Sequence, residues 1–200
     1  MEIGRLPHPT PAELTDDQRA LYDEIVLGPR GSGPFRMTDS EGRLQGPFNA
    51  MLVNPLLGRT VQQLGAQIRY HSTLAARERE IAILALAHLR NSEFEWYAHE
   101  RVGLVVGLTT EELDTLDTGG KPASLSDREQ IVLLATRALV SERDLDDATY
   151  NEALRLLGRT TLADLLTLVG YYDLLALSLR AWQVPLPDGE SRRPGPGMAT

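Results

Sequence analysis

The segment Arg77–His99, REREIAILALAHLRNSEFEWYAH, decides how the rest of the chain is interpreted. Its first half has the pattern of a buried helix, and a polar break at Ser92 separates it from a second helix. Across the break, the segment places Glu80, Ser92, Glu95 and His99 in the order E-x11-S-x2-E-x3-H among apolar neighbours. Glutamate and histidine are well suited to proton transfer near neutral pH. The pattern therefore predicts a partly buried acid/base site on a pair of helices.

The geometry of a helical hairpin leaves the pairing within this cluster open. Glu95 and His99 are four residues apart and share a helix face. Glu80 lies on the preceding helix, at a height that differs from that of His99 by roughly 7 Å, which a long side chain or a water bridges. Either glutamate is therefore a candidate partner of His99. Simpler roles also remain open: Ser92 and Glu95 as a capping box, Glu80 as the ion-pair partner of Arg77, and His99 as a core residue.

Almost every other periodic segment of the chain also predicts a helix. Thr10-Pro11 begins a helix that should run to about Leu27. Further helices are predicted to start at Asn54-Pro55, to be capped at Thr109 and Ser126, and to cover 146–157 and 161–181. Residues 28–47 are rich in Gly and Pro and predict a long loop that acts as a lid, while 185–200 predict a flexible tail. The chain is thus expected to form one all-α domain over residues 1–184.

A weak internal repeat indicates that part of this domain is duplicated. A shift of 51 residues aligns Leu74, Arg77, Glu78 and Val105-Val106-Gly107 with Leu125, Arg128, Glu129 and Leu156-Leu157-Gly158. The fold class expected is an all-α helical bundle built from two related helix-pair units. The same shift places Ile131 at the position of Glu80 and Tyr150 at that of His99. Only the first unit carries the polar cluster, so one site per chain is expected.

The composition excludes several classes of function. A chain of 200 residues suits one domain, and its net charge of −8 disfavours nucleic acid and anionic membranes as partners. There are no cysteines, which excludes disulfides and thiol redox chemistry, and the four histidines have no HExxH or HxH spacing, so no metal site is expected. No secretory signal and no apolar run near the roughly 20 residues of a membrane span are present, so the expectation is a soluble, cytoplasmic protein.

The residues of this cluster resemble those of a known superfamily. The order Arg-x2-Glu-x11-Ser-x2-Glu-x3-His, followed by Gly107-Leu108-Thr109, is similar to that of carboxymuconolactone decarboxylases and alkylhydroperoxidase-D proteins. The segment 46–51 and Gly170-Tyr171-Tyr172 extend the resemblance over roughly residues 45–185. It implies an alkylhydroperoxidase-D-like all-α fold, a homo-oligomer (dimer, trimer or hexamer) and no cofactor.

The resemblance also indicates which branch of the superfamily fits. The peroxidase branch carries cysteines at the positions of Ser92 and Glu95, and neither serine nor glutamate can pass through a sulfenic acid or a disulfide. Thiol peroxidase activity is therefore excluded. What the resemblance implies is the cysteine-free, decarboxylase-like branch: a lyase that removes CO2 from a small carboxylated lactone or related ring compound by general acid/base catalysis.

Within that reading, each candidate residue has an expected role. His99 is the acid/base, Glu95 or Glu80 assists it, and Arg77 holds the substrate carboxylate with its planar guanidinium. The other substrate-binding candidates are Phe48, Met51, Leu84 and Trp96 as apolar walls, Ser92 beside the acid, and His71 at the pocket mouth. Two alternatives stay open: an isomerase, cyclase or dehydratase with the same Glu/His site, and a non-catalytic small-molecule-binding or assembly protein.

Overall fold

The computed structural model describes residues 1–28 and 36–190, and nearly all of its regular structure is helical. Two short antiparallel strands, β1 (Glu2–Ile3) and β2 (Leu6–Pro7), form a hairpin at the start of the chain. After a 3-10 helix (Pro11–Glu13) the described helices are α1 (Asp16–Val26), α2 (Pro47–Met51), α3 (Pro55–His71), α4 (Ala76–Arg90), α5 (Glu93–Val105), α6 (Thr110–Asp117), α7 (Asp127–Ser141) and α8 (Asp147–Ala181). The expected all-α class is confirmed.

The predicted helix starts agree with the structure except at the first one. The hydroxyl of Thr109 accepts a hydrogen bond from the backbone N–H of Glu112, and capping boxes form at both Thr109 and Ser126. The prediction of a continuous helix from Thr10 was wrong, because the chain is extended at Leu14 and only one 3-10 turn precedes that residue. Helix α1 starts after Leu14, with its own capping box at Thr15.

Helix α4 is the centre of the bundle and packs against α5, α6, α7 and α8. Its residues Ile81 to Ala87 are buried on every side, as expected for a helix that is apolar all round. Two core clusters meet on it, one containing Ala82, Ile83 and Leu86 and the other containing Ile81, Leu84 and Ala85. Because Glu80 directly precedes this run, its carboxylate is carried into the interior.

The two halves of the predicted repeat are held together by reciprocal ion pairs. Helices α4 and α7 coincide under the shift of 51 residues, from Ala76–Arg90 to Asp127–Ser141. Arg77 Nε lies 2.7 Å from Glu129 Oε1, and Arg128 Nε lies 2.7 Å from Glu78 Oε1. Each arginine thus pairs with the glutamate that caps the other unit. This pseudo-symmetric exchange supports the duplication that the sequence indicates.

Helix α8 contains a break at Gly158, where φ is 78° and ψ is 168°. The predicted segments 146–157 and 161–181 correspond to the parts on either side of this residue. By length and composition α8 could cross a membrane, but half of its most apolar window is buried inside the protein. Its packing against α2, α3, α4 and α7 is that of a core helix.

The predicted loop and tail are only partly covered by the description. Residues 29–35 of the loop and 191–200 of the tail lie outside the described residues. In the described part of the loop, Thr38 and Leu44 form an isolated antiparallel bridge, and the short helix α2 begins at Pro47. No helix occurs in 185–190. The role of this loop as a lid stays a prediction.

Only part of the apolar spacing of α3 is used for packing inside the fold. Ile68 is buried together with Gly58 and Gly65, whereas Leu57 and Leu64 are 61% and 43% exposed. The small glycines allow close packing here: a methyl group on Gly58 would lie 2.2 Å from the carbonyl oxygen of residue 51. The exposed leucines therefore form a surface of their own.

Candidate active site

Glu80 and His99 form the centre of the polar cluster. The hairpin of α4 and α5 brings His99 Nδ1 to 2.6 Å from Glu80 Oε2, and the two side chains are 8% and 0% exposed. The sequence left the partner of His99 open between two glutamates. The structure identifies Glu80 as the hydrogen-bonded one.

Two arginines hold the other oxygen of Glu80. Arg79 Nε lies 3.3 Å from Glu80 Oε1, and Arg69 Nη1 from α3 lies 4.0 Å from the same atom. Burial by itself raises the pKa of Glu80, but His99 and the two guanidinium groups outweigh it and bring that pKa below its usual value. Glu80 is therefore a buried carboxylate anion at neutral pH.

The ring of His99 is oriented for proton acceptance at the site. Burial lowers the pKa of His99, and the neighbouring Glu80 carboxylate opposes that shift only in part. The imidazole is then neutral near pH 7. The ionised Glu80 can only accept a hydrogen bond, so Nδ1 carries the proton. Nε2 is left with its lone pair, and Tyr172 packs edge-on against the ring at 5.0 Å.

Glu95 is a further titratable group of the site, and its environment differs from that of Glu80. Its side chain is buried, and neither Oε1 nor Oε2 has a hydrogen-bond partner of proper geometry in the described structure. Burial raises the pKa of Glu95 to about 8; the nearby Ser92 hydroxyl lowers it and Asp173 adds a further increase. Glu95 is thus mostly protonated at pH 7. The capping box considered for Ser92 and Glu95 does not form, because Ser92 makes no side-chain cap.

Glu95 and His99 line the same small cavity. Its volume is about 40 Å³, enough for one or a few water molecules. The lining residues are Pro47, Phe48, Arg69, Phe94, Glu95, Ala98, His99, Tyr171, Tyr172 and Leu175. One wall is aromatic, and Arg69, Glu95 and His99 are the charged or titratable groups apart from the tyrosines. The cavity combines an apolar enclosure with a few convergent polar groups, the usual character of a ligand site.

Not all predicted wall residues lie at this cavity. Phe48 does, as expected. Met51 instead lines a separate apolar groove, of about 250 Å³, with Leu57 and Trp182. His71 is exposed near the end of α3 and lines a third depression, so it does not reach the mouth of the Glu95 cavity.

Three other candidates are placed in the core or its ion-pair network rather than at the cavity. Trp96 and Leu84 point into the core cluster between α4, α5 and α6. Arg77 donates to Glu112, to Glu129 and to the carbonyl oxygen of Gly107. Arg77 is not among the residues that line the cavity of His99. These ion pairs instead tie together the ends of α4, α6 and α7.

The structure adds residues that the sequence analysis did not assign to the site. Arg69 arrives from the last turn of α3, and Tyr171 and Tyr172 from α8. The two tyrosines were noticed only as part of the resemblance. The sequence shows that Arg69 is the arginine that most closely precedes α4, the helix of Glu80. No local pattern shows which way its side chain points.

No metal site is found in the described ranges. Among residues 1–28 and 36–190, no group of three His, Asp or Glu side chains could hold a metal ion. Glu80 and His99 are the pair that comes closest to a set of metal ligands. They are hydrogen-bonded to each other, and Arg69 and Arg79 lie at the other oxygen of Glu80. The arrangement is suited to moving protons.

The comparisons with known proteins concern both sequence and fold. Residues 55–138 match the model of the carboxymuconolactone decarboxylase family, a range that includes Glu80, Glu95 and His99. No curated protein matches the chain.

Several solved structures share the architecture. They include the AhpD-core, uncharacterized peroxidase-related protein from Ralstonia eutropha JMP134 (17% identity, 94% of each chain covered, TM-score 0.72) and a peroxidase-related protein from Silicibacter sp. TM1040 (13% identity, 96% of this chain and 95% of that one, TM-score 0.73). The debrominase Bmp8 in complex with 2,3,4-tribromopyrrole is also similar (10% identity, 94% of each chain, TM-score 0.72). At these identities the likeness shows the fold alone. The family match, which includes the hairpin of α4 and α5, and the shared fold together support a relationship of this chain to the carboxymuconolactone decarboxylase and AhpD-like superfamily.

Proposed function

We propose that this protein is a cofactor-free lyase that decarboxylates a small carboxylated lactone or related ring compound by general acid/base catalysis. One observation carries the proposal: a protonated Glu95 and a neutral His99 held by ionised Glu80 line one buried cavity. Two titratable groups whose environments push them into opposite roles are the mark of an acid/base site.

The proposed reaction uses these two groups in a defined way. The bond between the ring carbon and the substrate carboxylate breaks, CO2 leaves, and the electron pair enters the conjugated carbonyl to form a dienolate. Glu95 then gives its proton to carbon, and solvent returns a proton to Glu95 by way of His99 Nε2. A positioned general acid contributes about 10²–10⁴-fold to such a step.

The enclosure supports this chemistry. A dienolate carries its charge on the carbonyl oxygen, and electrostatic stabilisation is stronger where water is excluded. The aromatic wall of Phe48, Phe94 and Tyr172 keeps the cavity dry apart from the few waters that it can hold. Arg69 supplies a fixed positive charge at its edge. The absence of cysteine from the chain excludes the thiol-dependent route.

A second candidate function uses the same pair without loss of CO2. His99 Nε2 could remove a proton from one carbon while Glu95 donates one to another atom, which is isomerisation, cyclisation or, with a hydroxyl leaving group, dehydration. The neutral base and protonated acid side by side favour this chemistry as much as decarboxylation. The family match inclines the proposal toward the carboxy-lyase.

A purely structural role for the cluster has less support. Such a role predicts that Glu80, Glu95 and His99 are all hydrogen-bonded with no cavity beside them. The Glu95 carboxyl oxygens lack partners, and a cavity borders both Glu95 and His99. Burying a carboxyl without a hydrogen bond costs stability, so its presence needs another reason.

The debrominase neighbour is consistent with a small planar ring as the ligand. That protein binds 2,3,4-tribromopyrrole on the same fold. For the present chain we propose a ring of similar size that carries a carboxylate. The cavity of about 40 Å³ is smaller than such a ring, so side chains at its rim must move when the substrate enters.

The decisive experiment is mass-resolved turnover of 4-carboxymuconolactone without added metal or cofactor. Wild type, His99→Ala and Glu95→Gln are compared. CO2 release by the wild type that collapses in both variants supports the lyase. A product of unchanged mass, or one that has lost water, supports the second candidate. Turnover that is equal in all three proteins refutes the assigned residues.

We also propose that the protein acts in the cytoplasm as a homo-oligomer. The exposed Leu57 of α3 lines an apolar groove with Leu174 and Trp182, and such apolar surface is uncommon on monomers. A second copy of the chain is the expected occupant. Sedimentation of wild type against Leu57→Asp tests this: the variant should be monomeric, and a wild-type monomer would refute it.

A further inference from the structure

The cavity at Glu95 carries a charge imbalance that the acid/base proposal does not use. Glu80 contributes one negative charge, and Arg69 and Arg79 contribute two positive ones. Glu95 and His99 are neutral near pH 7 for the reasons above. One positive charge therefore remains beside the cavity.

Among the residues that line the cavity, the one acid is Glu95, which is neutral near pH 7 and does not balance this charge. Asp173 is the further carboxylate that influences Glu95, and it is engaged by Arg90 at 2.5 Å and by Arg143 at 2.9 Å. Among the described residues, the charged groups that act on Glu80 and His99 are each other and the two arginines. A buried charge is stable only when it is paired, so the site favours an anion from outside.

The two arginines differ in how much of their hydrogen-bonding capacity is used. Arg79 donates from Nε to Glu80 at 3.3 Å and from Nη1 to the carbonyl oxygen of residue 69 at 3.0 Å. Among residues 1–28 and 36–190, the contact found for the Arg69 guanidinium is its 4.0 Å approach to Glu80, which is too long for a hydrogen bond. Arg69 also lines the cavity, whereas Arg79 does not.

We propose that Arg69 is the residue that binds the substrate, by a two-point contact to a carboxylate on a planar ring whose face lies against the aromatic wall. A guanidinium matches a carboxylate with two parallel hydrogen bonds, and Arg69 lines the same cavity as Glu95 and His99. This inference rests on the proposed function, and it gives Arg69 the part that the sequence assigned to Arg77. The substrate class is a planar ring compound that carries at least one carboxylate.

Ligand binding tests this without any turnover. Calorimetry at pH 6.5 measures the affinity of benzoate and of its neutral analogue benzamide for wild type, Arg69→Gln and Arg69→Lys. The wild type should prefer benzoate by at least about tenfold, since a charge-assisted pair is worth more than a neutral one. Arg69→Gln should abolish the preference, and Arg69→Lys, which keeps the charge but not the fork, should retain part of it.

A matched control comes from the same helix. Arg59 lies on α3 and pairs with Glu24 at 2.8 Å, away from the cavity, so Arg59→Gln should bind benzoate like the wild type. Melting temperatures establish that the variants are folded. Equal affinity for the two probes, no binding of either by the wild type, or an undiminished preference in Arg69→Gln would overturn the proposal.

The outcome is separable from that of the proposed function. A benzoate preference that depends on Arg69, with no CO2 release from any carboxylated ring, would keep the anion site and reject the lyase. CO2 release that is unchanged in Arg69→Gln would keep the lyase and reject this role of Arg69.

Discussion

His99 Nδ1 lies 2.6 Å from Glu80 Oε2, and this contact joins two helices across nineteen positions of sequence. Its consequence is chemical as well as structural. The carboxylate fixes the proton on Nδ1, so that the nitrogen available to a ligand is a proton acceptor. The two arginines on the opposite oxygen keep the carboxylate ionised while it does so.

Replacing Glu80 by Gln is expected to disturb the histidine rather than the fold. The amide keeps the shape but not the charge, and its donor group no longer imposes one tautomer on His99. We expect turnover to fall by about 10²-fold or more, because the base is misdirected. Nitrogen-15 NMR of the imidazole should show Nδ1–H in the wild type and a mixture in Glu80→Gln. An unchanged tautomer together with unchanged turnover would contradict the assignment.

Glu95→Gln should make the protein more stable in alkaline solution. The pKa of Glu95 rises from 4.5 to about 8 on folding, so the folded state binds more protons between these values and stability falls as pH rises through that window. The full shift corresponds to at most on the order of 5 kcal/mol at pH 9. Glutamine avoids the buried charge.

Urea unfolding measures this difference. At pH 5 wild type and Glu95→Gln should have nearly the same free energy of unfolding, and at pH 9 the variant should be clearly the more stable. Glu93→Gln, on the exposed side of the same helix, is the control and should show no such crossover. A constant difference between wild type and Glu95→Gln over pH 5–9 would argue against a protonated Glu95.

The rate of the reaction should have two limbs in its pH profile. The acid Glu95 must be protonated, so kcat/KM should decline as pH rises through about 8. The base His99 must be neutral, and burial lowers its pKa, so activity should persist below the usual histidine range of about 6.5. Initial rates in buffers of constant ionic strength measure both limbs. A profile that is flat from pH 6 to pH 9 would remove Glu95 from the mechanism.

That Glu80, Glu95 and His99 lie close together was predictable from the sequence, because their placement depends on local periodicity. The spacing of Glu95 and His99 defines one helix face, and the break at Ser92 requires a hairpin that brings Glu80 near. Arg69 was not predictable. It reaches the site from α3, and the packing of that helix is a tertiary property that no local spacing encodes.

Two local patterns also proved ambiguous. A serine followed three residues later by glutamate predicts a capping box, and Ser126 forms one, yet the same pattern at Ser92 does not. The carboxylate of Glu129 accepts hydrogen bonds from Ser126 and Arg77, whereas the carboxyl group of Glu95 lines the buried cavity. Likewise the helical spacing of Leu57 and Leu64 indicates an apolar face of α3. It does not say whether that face packs inside the same chain, and in the structure both side chains are exposed.

Arg77→Gln should destabilise the protein and leave the site intact. Arg77 is hydrogen-bonded to Glu112 and Glu129, and together with a bond from Ser124 it brings the pKa of Glu112 to about 2 despite its burial. Loss of one partner from such a partly buried network costs about 2–4 kcal/mol. Urea unfolding should show that loss, and benzoate binding should be unchanged. Loss of binding in a folded Arg77→Gln protein would restore Arg77 as the substrate anchor.

The break in α8 predicts opposite effects for two glycine substitutions in one helix. At Gly158, φ of 78° and ψ of 168° fall in a region that is essentially restricted to glycine, so Gly158→Ala should cost about 1–3 kcal/mol. The cost is purely conformational, because a methyl group there would meet no atom within 4 Å. Gly170 is equally unobstructed but helical, and Gly170→Ala should stabilise the protein by about 0.4–1 kcal/mol. Thermal and urea unfolding of the two variants compare the signs directly. If both substitutions stabilised the protein, α8 would be a continuous helix in solution. The break at Gly158 would then not be the counterpart of Gly107, the residue with which it aligns in the internal repeat.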